Sequence, residues 1–80
     1  MLEKIRSFED DNEGVKVVFY QERKGNGVIW IAMYIHVNDK LLAVKYFLSS
    51  SEKKKILKVI KACEKAEYGL LQAILSTLNW

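Results

Sequence analysis

Residues 15–48 constrain the fold more than any other part of the chain, because they read as three β-strands joined by two tight turns, with large side chains on both sides. Residues 15–23 alternate as a strand does, and Lys24-Gly25-Asn26-Gly27 supplies residue types that tolerate the positive φ of a tight hairpin. Residues 28–37 are rich in β-branched and aromatic side chains, and Asn38-Asp39 turns the chain into a third strand at residues 40–48. Connections this short join antiparallel neighbours. A meander is therefore expected.

A two-residue turn in the first hairpin, about Gly25-Asn26 or Asn26-Gly27, pairs an even-numbered residue with an odd-numbered one. That register places Val18, Tyr20, Ile29, Ile31, Met33, Ile35, Val37, Leu42, Val44, Tyr46 and Leu48 on a core face. Val15, Val17, Phe19, Gln21, Arg23, Val28, Trp30, Ala32, Tyr34, His36, Leu41, Ala43, Lys45 and Phe47 fall on the other. With a two-residue turn at Asn38-Asp39, Trp30 is expected opposite Phe47, Tyr34 opposite Ala43 and Ala32 opposite Lys45. This second face mixes aromatics with cations.

One helical segment, residues 51–79, is available to cover the sheet. Ser49-Ser50-Ser51-Glu52 reads as its entry, with a serine N-cap and an acid at the positive end of the dipole. Ile56, Ile60, Cys63, Leu70, Ile74 and Leu78 recur at helical spacing, while Lys54, Lys58, Lys61 and Lys65 lie off that stripe. A continuous helix of this length spans roughly 43 Å, against about 33 Å for the central strand. It overhangs the sheet or breaks, and Gly69 is the place for a kink or a second short helix. Residues 2–9 fit a short edge strand somewhat better than a helix, and residues 10–14 form an acidic turn. The expected fold is α+β, an antiparallel meander of three or four strands with one long, kinked or straight, C-terminal helix packed on one face.

Eighty residues make a single domain, 1–80, and half of them are hydrophobic while 29% are charged, a globular balance. Cys63 has no partner for a disulfide or a metal spacing, and reads as a small buried apolar residue. The N-terminus is too polar for a signal peptide, and the longest apolar run is half a membrane span. A soluble cytoplasmic protein that does not engage a membrane is expected. The chain has one histidine, His36, one cysteine, no phosphate-binding glycine loop and no cluster at metal-ligand spacing. Asp10, Asp11 and Glu13 read as a solvated acidic turn. Neither enzymatic activity, nor a cofactor, nor a metal is expected.

The net charge of +3 conceals an asymmetry, since residues 1–14 carry five acids against Lys4 and Arg6. Eleven basic and five acidic side chains remain in residues 15–80, a body of +6 that favours anionic partners. Single-stranded nucleic acid binds where cations track its backbone and exposed aromatics stack its bases. Phe19, Trp30, Tyr34 and Phe47, with Arg23, Lys24 and Lys45 beside them, are the candidate residues for DNA or RNA. Lys53, Lys54, Lys55 and Lys58 offer further phosphate contacts, though such a run is commonly a solvated helix face. Leu70, Leu71, Ile74, Leu75, Leu78 and Trp80 exceed what one sheet can cover, so a homodimer paired through this segment is expected.

The run Phe47-Leu48-Ser49-Ser50-Ser51-Glu52, leading into Ile56-Leu57-Lys58-Val59-Ile60, resembles the PC4-like transcription-coactivator family. Its similarity covers residues 15–60, and the family's glycine-rich basic loop corresponds to residues 23–27. The resemblance implies strands followed by a long helix, homodimerisation and binding of single-stranded DNA. Lys53-Lys54-Lys55 is more weakly similar to the basic helix start of double-stranded-RNA-binding domains. An alternative expectation is a protein–protein interaction module, such as a small viral or mobile-element regulator or inhibitor, docking through its exposed sheet face or edge.

Overall fold

The computed structural model describes residues 2–76. Strands β1 (Leu2–Asp10), β2 (Val15–Arg23), β3 (Ile29–Val37) and β4 (Lys40–Leu48) form one antiparallel sheet in sequence order. Two short helices follow, α1 (Lys53–Lys65) and α2 (Leu70–Leu75). The meander and the N-terminal strand agree with expectation. The single long helix does not form.

The β2–β3 loop sets the face of every residue in β2. Lys24 N–H donates to Val28 O at 2.8 Å and Gly27 N–H to Lys24 O at 3.0 Å, with Gly27 at φ 85°. These bonds enclose three residues, not two, with a glycine at the left-handed position such a loop needs. Odd residues consequently pair with odd ones: Val17 faces Ile35 and Phe19 faces Met33. The expected membership of β2 is thereby inverted.

Asn38 and Asp39, both at positive φ, do form the two-residue turn, so that Val37 faces Lys40 and His36 faces Leu41. Immediately beyond, the register shifts, Ile35 faces Ala43, and Leu42 is left 66% exposed between the two ladders. One inserted residue reverses the facing of the rest of the strand. Phe47 therefore lies opposite Ile31 rather than Trp30, and Tyr46 opposite Ala32.

The core consists of Val15, Val17, Phe19, Ile31, Met33, Ile35 and Phe47 from the sheet, packed under Ile56, Val59 and Cys63 of α1 and Leu70 and Ile74 of α2. Phe19, Met33 and Phe47 are fully buried, and each such side chain contributes about 1.5–3 kcal/mol. Of the expected core face, the odd residues of β3 hold their place. Tyr20, Val44, Tyr46 and Leu48 point to the opposite side.

No serine caps α1. Residues 48–52 close a turn of their own, Glu52 N–H donating to Leu48 O at 2.9 Å, and Glu52 occupies the N-cap position. Its carboxylate accepts the Leu48 N–H at 2.9 Å. At the other end Ala66 adopts a left-handed conformation, φ 37°, and Gly69 follows at φ 96°. The chain thus reverses, laying α1 against β4 and α2 against β1 and β2. No described helix is long and apolar enough to cross a membrane.

This reversal removes most of the reason for pairing two C-terminal segments. Leu70 and Ile74 are spent in their own chain's core, Leu71 is partly buried, and Leu75 is the exposed member at 50%. Leu78 and Trp80 lie outside the described residues.

Candidate functional site

Both helices cover one side of the sheet, so the other side has no helix over it among the described residues. At its centre is Ala32, and the pleat places Trp30 and Tyr34 two residues away along β3 on the same side. Across the ladders Ala32 faces Tyr20 on β2 and Tyr46 on β4. A small, fully buried residue is therefore ringed by four aromatic side chains. Tyr20, Trp30 and Tyr34 are half-buried and Tyr46 is 50% exposed.

The rings brace one another. Tyr20 and Tyr34 meet edge to face, with centroids 5.0 Å apart and planes at 74°, an arrangement favoured by the ring quadrupole. Tyr34 ionises above the usual tyrosine range, chiefly because of its side-chain hydrogen bond with Tyr46 and secondarily because of its burial on this face. At one end of the ring, Lys24 Nζ lies 2.9 Å from Glu22 Oε1. The Glu22 hydrogen bond and charge hold Lys24 above its ordinary range. Glu22, Lys24, Trp30 and Tyr46 together line a concavity of about 340 Å³.

The expected site residues divide between the two sides. Trp30 and Tyr34 sit on the open face as expected, and Lys24 is at its rim. Phe19 and Phe47 are corrected to the core, where they have no surface to offer a base. Lys45 is on the helix-covered side, its Nζ 5.7 Å from the Phe47 ring centroid. Arg23 is exposed at the end of β2 but faces Ile29, on that same side. Tyr20, Tyr46 and Glu22 went unrecognised, and only a three-residue first turn and a bulge in β4 would have brought them to this face.

Charge on the open face is mixed. Lys4 faces Tyr20, and at the far end of the same face Glu9 lies opposite Lys16 and Lys16 opposite His36. The lysines of α1 belong to the other side of the sheet, so the basic excess of the body is not concentrated around the aromatics. His36 Nδ1 is buried with no hydrogen-bond partner among the described residues.

The acidic turn is structural. Asp10 Oδ1 accepts the N–H groups of Asn12 and Glu13, and Glu13 Oε1 accepts that of Leu71. Among the described residues no group of three His, Cys, Asp or Glu side chains is placed to hold a metal ion. Burial pushes the Cys63 thiol up to about 11, so it remains a protonated apolar residue at neutral pH. Comparison with known proteins finds no matching family model, no matching curated protein and no matching solved structure.

Proposed function

We propose that the protein binds single-stranded nucleic acid on the helix-free face of its sheet. The observation that carries this reading is the ring of Tyr20, Trp30, Tyr34 and Tyr46 around Ala32. Aromatic faces stack on any base, each stack contributing about 1–3 kcal/mol. Lys4 and Lys16 are available to phosphates along the same face. Phe19, Arg23, Lys45 and Phe47, on the helix-covered side, take no part, and Tyr20 and Tyr46 stand in their place.

With few lysines engaged, the salt dependence is shallow, a slope of log affinity on log salt of about −1.4 for two phosphate contacts on a single strand. The test is a fluorescence titration of Trp30 with a single-stranded oligonucleotide, in a Trp80→Phe background that isolates one indole. Saturable quenching that weakens as salt rises is expected. Trp30→Ala and Tyr46→Ala should each weaken binding roughly 5- to 150-fold, the equivalent of one stack, without loss of the fold. Absence of binding at low salt removes the reading.

A second reading, docking of another protein, is favoured by the β4 edge, where Leu41 and Leu42 are 52% and 66% exposed. An unpaired strand with apolar side chains is a template for strand addition. A stoichiometric protein partner that survives nuclease treatment and is lost on Leu42→Lys would favour it.

A further inference from the structure

We propose that the concavity beside the β2–β3 turn is a guanine-selective seat for one base of the bound strand, an inference that rests on the function proposed above. Trp30 lies directly opposite Glu22 in the ladder, and Tyr46 reaches the same concavity from β4. Two aromatic side chains supply stacking surface. The polar pair beside them supplies an edge.

That edge has a definite order. Glu22 is an ionised acceptor with two oxygens, Lys24 is a donor only, and the two are joined at 2.9 Å through Oε1. Side by side they present donor, acceptor, acceptor. Guanine's Watson–Crick edge presents the complement: an O6 acceptor, then the N1–H and N2–H donors. Adenine and cytosine each set a ring-nitrogen acceptor beside their exocyclic amine, and thymine or uracil flanks its one N–H with two carbonyls. Any of these three places an acceptor against the carboxylate. Only guanine satisfies both oxygens and leaves O6 for the lysine.

The Glu22–Lys24 pair is also inexpensive to adjust. Its side chains are 25% and 50% exposed, and an ion pair that open to water holds its geometry weakly. A base can enter without breaking a buried interaction. Single-strand readers select bases in this way, stacking a splayed base on an aromatic side chain and reading its Watson–Crick edge.

The experiment compares oligothymidylates carrying one central guanine, adenine, cytosine or hypoxanthine, titrated against the full chain by Trp30 fluorescence in the Trp80→Phe background. A bidentate base contact discriminates by about 1–3 kcal/mol, so the guanine oligomer should bind roughly 5- to 150-fold more tightly than the adenine or cytosine ones. Hypoxanthine, which lacks only the N2 amine, should fall between and needs no change to the protein. Glu22→Gln should abolish the preference, bringing the guanine and adenine oligomers to within about twofold of each other on the variant itself. Equal affinity for all four oligomers, or a preference that persists in Glu22→Gln, overturns the seat but leaves single-strand binding standing. Failure of every oligomer to bind overturns both.

Discussion

The carboxylate of Glu13 accepts the backbone N–H of Leu71 at 3.0 Å, across 58 positions of sequence. It comes from the β1–β2 loop and satisfies one of the donors left open at the start of α2. A helix of six residues has little stability of its own. This bond and the burial of Leu70 and Ile74 hold it against β1 and β2. Glu13→Ala should therefore destabilise the protein by about 1 kcal/mol, the usual cost of losing an N-terminal cap. Denaturant unfolding measures it, and an unchanged midpoint would show that the bond contributes nothing.

Two residues at the break between the helices should respond in opposite directions. Ala66 holds a left-handed conformation at φ 37°, which costs a residue with a Cβ roughly 1–2 kcal/mol. Ala66→Gly should relieve part of this and raise the unfolding midpoint. Gly69 sits at φ 96°, and a Cβ there would come 2.7 Å from Glu13 Oε2. Gly69→Ala should consequently lower the midpoint by more than Glu13→Ala does, because it adds strain and displaces the cap together.

This break explains why the C-terminal half was only partly legible. The apolar spacing of Ile56, Cys63, Leu70 and Ile74 runs through it without interruption, and all four residues do reach the core. Gly69 marked the place, but a left-handed Ala66 has no signature, and Glu13 is too distant in sequence to be read as a cap. The sheet was legible element by element, because Asn-Gly and Asn-Asp turns and β-branched runs are local signals. Its facing was not. One extra residue in the first turn and another at Leu42 each reverse a strand, so Phe19 and Phe47 exchanged sides with Tyr20 and Tyr46.

Assembly can be separated from folding by two positions one residue apart. Ile74 is buried in the core, 1% exposed, whereas its neighbour Leu75 is 50% exposed. Ile74→Ala should cost about 2–5 kcal/mol of stability. Leu75→Lys should stay within about 0.5 kcal/mol. Sedimentation of the unmodified chain and of Leu75→Lys at the same concentration completes the test. A dimer that dissociates on Leu75→Lys would restore pairing through this segment.

The open face carries its own titration. The side-chain hydrogen bond between Tyr34 and Tyr46, with burial second, raises the Tyr34 pKa above that of an unfolded tyrosine. The unfolded chain loses the Tyr34 proton near pH 10, while the folded chain keeps it to a higher pH. Stability from the bond is thus complete below about pH 10 and declines as pH rises through the folded-state value. Tyr46→Phe removes the hydroxyl partner but leaves a ring of similar size, so Tyr34 should titrate closer to its ordinary range and the alkaline loss of stability should flatten. Ring resonances of Tyr34, followed by NMR from pH 8 to pH 12, distinguish it from Tyr20, Tyr46 and Tyr68. If Tyr34 titrates identically in both proteins, the two hydroxyls are not coupled. Stacking should be indifferent to that bond, so Tyr46→Phe is also expected to bind a single strand as well as the unmodified protein does, in contrast to Tyr46→Ala.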